Sequence, residues 1–235
     1  MATKKISVII ITLNEENNLQ KCLCSCIHFD EILVIDSGST DQTVNLANSF
    51  GAKVIQQDWL GFGPQKQFAV SQATNDWVLS IDADEVLSEE LLANIRNLDL
   101  HEPQIAYSIN RRSFFLGKEV KHSGWNPDWV IRLFNKKHCR FTNDQVHEKV
   151  TGYQSLQKLH GLMYHHTYQN IDDIADKTVK YGRLGMLSRK KAKNKYLNAS
   201  WSFFRTFILQ LGFLDGLTGY QIAKMNAKTN FIKYS

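Results

Sequence analysis

Leu79-Ser80-Ile81-Asp82-Ala83-Asp84-Glu85 is the stretch that decides the fold. An apolar strand, Trp77–Ile81, empties into three carboxylates within four residues. Side chains two apart on an extended chain point the same way, so Asp82 and Asp84 can face one ligand. The same design recurs upstream. Ile6–Thr12 is a β-branched run ending in Leu13-Asn14-Glu15-Glu16, and Glu31–Asp36 ends in Ser37-Gly38-Ser39-Thr40-Asp41. Helical patterns separate these strands. Asn17–Ile27 has Leu19, Leu23 and Ile27 on one face, and a second helix runs through Phe50 to Gly51. A third strand, Ala52–Gln56, follows. Pro64 opens a helix to about Ala73, and Ser88 caps one through Leu98 with Glu89 and Glu90 in its first turn. Alternation of this kind predicts a doubly wound, mostly parallel sheet, in which ligands bind beyond the carboxyl ends of the strands. Asn14-Glu15, Asp36-Ser37 and Asp82–Glu85 therefore converge on one edge.

After residue 100 the rhythm changes. Ile105–Phe115, Val130–Phe134 and Gln145–Thr151 read as β-segments with irregular connections, so the sheet becomes mixed. A helical pattern from Ile171 to Leu197 carries eight basic residues and no acid between Lys177 and Lys195. Ala199–Leu214 is mostly apolar, broken by Arg205 and Gln210. The expected organisation is residues 1–100, 101–168 and a helical extension over 169–235. No internal repeat or low-complexity linker interrupts it.

The chain has 235 residues, 43% hydrophobic and 22% charged, ordinary values for a globular protein with one good core. The net charge of +5 conceals a polarity: residues 1–100 hold six basic against fourteen acidic side chains, a net of −8, and residues 101–235 hold twenty-two against nine, a net of +13. The acidic half suits a divalent cation and the basic half suits phosphates, nucleic acid or an anionic membrane. No signal-peptide pattern opens the chain, and Ile6–Ile11 is too short to cross a bilayer. The four cysteines lack disulfide-framework spacing, and only Cys22 and Cys26 share a helix face, so reduced packing thiols and a cytoplasmic setting are expected.

Hard carboxylate oxygens at 82 and 84 suit Mg²⁺ or Mn²⁺, which bridge to substrate phosphates and offset charge on a departing diphosphate. In order, Thr12-Leu13-Asn14-Glu15-Glu16, Val34-Ile35-Asp36-Ser37-Gly38-Ser39-Thr40-Asp41 and Leu79–Glu85 resemble the signatures of the family 2 glycosyltransferases, which have the GT-A fold. The resemblance covers most of the chain. It implies that Thr12, Asn14 and Glu15 line a nucleotide pocket, that Asp36 accepts from the base and that Lys66 lies near the nucleotide. It further implies that Asp82 contacts ribose or metal waters and that Asp84 ligates the metal. The family usually carries a second acid where this chain has Ser37. Asp41 reads instead as a helix-initiating residue.

An inverting transfer also needs a carboxylate to take the acceptor's hydroxyl proton. Val146-His147-Glu148, following Arg132-Leu133-Phe134-Asn135, looks like a subgroup signature. Glu148 is the first choice for the base, Asp144 the second, and Asp128 a third that can instead bind the acceptor. Trp125 and Trp129 can stack on a sugar or serve as core or rim. Arg132 can hold a diphosphate or pair with an acid. His165-His166 can add a metal ligand or be structural.

Arg189-Lys190-Lys191-Ala192-Lys193-Asn194-Lys195 precedes Trp201-Ser202-Phe203-Phe204, cations beside aromatics that suit an anionic membrane surface, with nucleic acid, or a solvated helix face beside an apolar segment packed on the main domain, as alternatives. Gly212–Tyr220 resembles the tail of transferases that glucosylate the lipopolysaccharide inner core at the inner face of the cytoplasmic membrane. The resemblance thus implies a donor-binding half at 1–100, an acceptor-side half at 101–168, a UDP-sugar donor, a lipid-linked heptose acceptor and a peripheral location. A polypeptide acceptor, or a non-catalytic membrane- or nucleic-acid-binding module, is the alternative.

Overall fold

The computed structural model describes residues 5–145, 148–168, 174, 178–179, 182–183 and 194–235. Most of the expected 171–197 helix, the basic run 189–193, and Val146 and His147 lie outside the described residues. The elements are β1 (Ile6–Thr12), α1 (Leu19–Cys26), β2 (Glu31–Asp36), α2 (Thr43–Ser49), β3 (Lys53–Gln56), α3 (Phe62–Gln72), β4 (Trp77–Asp82), β5 (Glu85–Leu87) and α4 (Glu89–Arg96). They continue with β6 (Ile105–Phe115), β7 (Lys118–Glu119), β8 (Asp128–Asn135), β9 (Arg140–Phe141), β10 (Val150–Thr151) and β11 (Ser155–Tyr168). A helical region follows, with α5 (Lys195–Phe204), a π-helical turn (Arg205–Leu209), a 3₁₀ turn (Gly212–Asp215) and α6 (Leu217–Lys233).

The main sheet runs β3-β2-β1-β4-β8-β6-β11-β5, with β7 paired to β6. β1 is parallel to β2 and β4, β2 is parallel to β3, and β8 joins β4 antiparallel. The strand alternation sorts the core onto two faces. Val8, Ile10, Val34, Leu79 and Ile81 pack with Leu19, Leu23 and Ala47 of α1 and α2 and with Leu91 and Ile95 of α4. Their neighbours Ile9, Leu33, Ile35 and Val78 pack on the other face with Ala69 and Val70 of α3. A strand buried on both faces must be apolar at nearly every position, which is why Ile6–Ile11 reads as a continuous run.

Two sequence expectations are corrected. Glu85, grouped in the sequence with the polar residues that end the Trp77–Ile81 strand, instead opens a strand of its own, β5, after the two-residue turn Ala83-Asp84 and is fully buried. Among the described residues of 145–151, strand is formed only by Val150–Thr151, which pairs antiparallel with Arg140–Phe141.

The chain forms two compact units, residues 1–111 with 129–164, and residues 112–128 with 165–235. The second has its own apolar core of Phe115, Val120, Tyr168, Ile222 and Met225.

Candidate active site

The parallel register sets Thr12 beside Asp36 and Ile11 beside Asp82, so the first unit's acidic residues are level at the carboxyl edge. Asp36 is fully buried. Its Oδ1 accepts from the Thr12 hydroxyl (3.0 Å) and from that of Ser39, and its Oδ2 accepts from the backbone N–H of Gly38 (3.0 Å) and Ser39 (2.8 Å). The carboxylate expected to meet a base thus ties the 36–39 turn, a self-bonding habit of aspartate after a strand.

Two loops are laced together above the sheet. Asn14, at φ +55°, donates its N–H to Ser39 Oγ (2.8 Å) and accepts from Thr40 N–H through Oδ1 (2.8 Å). Glu15 N–H donates to Thr43 Oγ1 (2.7 Å). Asp41 Oδ1 accepts from Thr43 N–H (3.0 Å) at the start of α2, the helix-initiating role expected of it.

The strongest feature is a chain of alternating charges. Lys66, on α3 and only 4% exposed, places Nζ 2.7 Å from Glu148 Oε1 and 2.9 Å from Asp82 Oδ1. Arg132 Nη2 reaches Asp82 Oδ2 (2.7 Å) and Glu85 Oε1 (2.5 Å). Arg111 Nη1 lies 3.4 Å from the same Glu85 oxygen, and Glu85 Oε2 accepts from Asp82 N–H (2.9 Å). Three carboxylates and three cations thus offset one another, as partly desolvated charges must. Burial by itself would raise the Asp82 pKa. Arg132 and Lys66 beside it prevail and hold the carboxyl well below the usual carboxylate range. The same carboxylates hold the Arg132 guanidinium above its ordinary value despite its burial.

The structure thereby joins Glu148, Lys66, Asp82 and Arg132, residues predicted separately. Asp144 is exposed and accepts from the Thr142 hydroxyl (2.7 Å). Arg132 takes the acid-pairing option. Trp125 and Asp128 belong to the second unit, where Trp125 stacks on Tyr168 with centroids 6.2 Å apart and meets Phe115 edge-on at 6.1 Å. Trp129, in the first unit, is 37% exposed with Lys158 Nζ 4.5 Å above its ring. His165 Nδ1 lies within 3.1 Å of Thr167 Oγ1 and 3.4 Å of Ser113 Oγ, and the His166 ring packs on Phe114. All four cysteines are free thiols, three of them buried. Sequence reasoning missed Arg111 and undervalued Glu85. The available signal was the pair Arg111-Arg112 within β6 and Arg132 within β8, cations in strands whose other buried positions are mostly apolar.

Among the described residues no group of three or more His, Cys, Asp or Glu side chains could hold a metal. Both Asp82 oxygens face cations, and the half-buried Asp84 lies on the turn after β4. One carboxylate suits Mg²⁺ or Mn²⁺, which keep waters and draw their remaining ligands from substrate phosphates.

The family model for glycosyl transferase family 2 matches residues 7–160, the span that builds this sheet edge and the charge chain on it. The chain belongs to glycosyl transferase family 2. An uncharacterized glycosyltransferase of Rickettsia typhi is 33% identical over 98% of this chain and 85% of that protein. The lipopolysaccharide core biosynthesis glycosyltransferase LpsC of Rhizobium meliloti is 34% identical over 62% of this chain and 56% of that protein. S. aureus TarS shares the fold, with a TM-score of 0.51 and 19% identity over 89% of this chain and 45% of that one. As a family 2 member, the chain is a nucleotide-sugar-dependent glycosyltransferase with the GT-A fold that its motifs imply.

Proposed function

We propose that this enzyme is an inverting transferase that moves glucose from UDP-glucose to a heptose of a lipooligosaccharide core. The observation that supports the reading is the Lys66 bridge between Glu148 and Asp82, which joins a carboxylate of the connection after β9 to one at the end of β4. Similarity to LpsC supports the acceptor class.

In this reading Thr12, Asn14 and Glu15 line the nucleotide pocket, and Asp36 shapes its floor by holding the 36–39 turn. Glu148 accepts the proton of the acceptor hydroxyl as its oxygen bonds to the anomeric carbon, and the bond to the diphosphate breaks with its electron pair leaving on UDP. Lys66 keeps Glu148 oriented, and Arg132 with Glu85 fixes Asp82. A divalent metal held by Asp84, the donor diphosphate and water would offset charge on the leaving group.

The test is a screen of UDP-sugars with Mn²⁺ and heptose-containing core acceptors, run with wild type and Glu148→Gln. Transfer from UDP-glucose is expected, and the variant should keep UDP binding and lose about 10²-fold or more of the rate. Near wild-type turnover by Glu148→Gln removes it as the base. Transfer only to a polypeptide acceptor sinks the heptose assignment.

A further inference from the structure

No described helix is long and apolar enough to cross a membrane. The helical region of the second unit nonetheless carries much of the molecule's exposed apolar surface. Leu197, Trp201, Phe204 and Ile208 follow one another at spacings of four, three and four, so they share one helix face. They are between 42% and 69% exposed. The surface continues from the end of the π-helical turn, where Leu209 is 56% exposed, through Leu214, also 56% exposed, to Leu217 at the start of α6, 67% exposed. Single exposed leucines need no explanation, but a run of this length does.

The charges around it have one sign. Residues 194–235 contain Lys195, Arg205, Lys224, Lys228 and Lys233 against one acid, Asp215. Lys224 and Lys228 follow Leu217 by seven and eleven residues, on the same face of α6, and are exposed. Asp215 is turned inward, its side chain 4% exposed. It accepts from the backbone N–H of Lys121 and His122 (3.1 Å each) and from the Ser123 hydroxyl (2.7 Å), and its Oδ1 lies 3.1 Å from His122 Nδ1. The one acid of the segment is thus used to anchor it, and the outer surface is apolar with a cationic margin.

We infer that this face lies in the headgroup–acyl boundary of an anionic lipid bilayer, holding the enzyme on the membrane without spanning it. Apolar side chains enter the boundary, Trp201 suits its mixed polarity, and the lysines meet anionic headgroups. A nucleic-acid surface would have no use for the leucines. A second copy of this chain would bring its own lysines against these. The inference rests on exposure and charge and needs no assumption about the acceptor sugar.

Flotation of the full-length protein with phosphatidylcholine vesicles, and with vesicles containing phosphatidylglycerol, tests it without donor or acceptor. Wild type should float with the anionic vesicles, with a blue shift in tryptophan emission, and 0.5 M salt should weaken binding (about three to four times the salt of a physiological buffer). Leu209→Asp/Leu214→Asp and Lys224→Glu/Lys228→Glu should each weaken binding by about tenfold or more. All four positions are exposed, and far-UV circular dichroism and melting temperature establish that each variant is folded. If the leucine variant fails that control, the lysine variant alone decides the matter. Wild type that stays unbound to anionic vesicles, or folded variants that bind unchanged, would overturn the inference. So would a concentration-dependent dimer, dispersed by the leucine variant, in a protein that ignores vesicles.

Discussion

Asp82 has both carboxylate oxygens committed, one to Lys66 and one to Arg132, and each cation also holds a glutamate. Its folded-state pKa therefore lies below the unfolded value of about 3.9. The ionised group adds stability that is complete above that unfolded value and is lost as pH falls through the folded one. Melting temperature followed downward from about pH 6 should drop on an acid limb beginning near pH 4, and Asp82→Asn should flatten that limb. An unchanged limb in the variant would mean that other carboxylates govern acid unfolding. Arg132→Ala is the harsher change. It leaves Asp82 and the fully buried Glu85 without their shared cation and should cost on the order of 3–5 kcal/mol, read from denaturant unfolding.

The first turn of α3 and the connection between β9 and β10 act together. Phe62 N–H donates to the Gln145 carbonyl (3.3 Å) and Gly63 N–H to that of Asp144 (3.1 Å). Four residues beyond Phe62, on the same helix, Lys66 receives Glu148 from the same connection. Gly63 makes this approach possible: a Cβ there would stand 2.1 Å from the Thr142 carbonyl oxygen and 2.7 Å from that of Asp144, both backbone atoms with little freedom to yield. Gly63→Ala should therefore displace the connection that carries Glu148. The expected result is a fall in kcat of roughly 10²-fold, the scale of a 1 Å misplacement, with a melting temperature lower by a few degrees. A variant that loses stability but keeps full kcat would separate this contact from catalysis.

For the molecule as a whole, donor binding and folding are linked. A ligand that binds only the folded chain stabilises it by about 2.7 kcal/mol at a hundredfold excess over its Kd. UDP with Mn²⁺ should therefore raise the melting temperature by several degrees, UDP with EDTA should raise it much less, and Asp84→Ala should remove the difference. An equal shift with and without metal would exclude Asp84 from a metal-dependent donor site. The charge polarity belongs to this scale too. The acidic first hundred residues supply the carboxyl edge of the parallel strands, and the basic remainder supplies both Arg132, which balances Asp82 and Glu85 there, and the lysines of the C-terminal helices.

Local periodicity determined the parallel half of the sheet. β1 and β2 have the bounds expected of them, because strands covered on both faces must be apolar throughout and punctuated by polar turns. The order of acidic strand ends likewise marked Asp36, Asp82 and Asp84 as edge residues before any coordinates. What the sequence left open was who pairs with whom. Lys66 meets Glu148 across 82 positions and Arg132 meets Glu85 across 47, and no pattern of short period carries such contacts. Only tertiary structure decided that Arg132 balances carboxylates at the sheet edge, that Asp36 ties its own turn and the Thr12 hydroxyl of the neighbouring strand, and that Glu85 is a buried strand residue. Each outcome follows from one physical demand: a charge removed from water must find a partner, and the fold determines which partner is within reach.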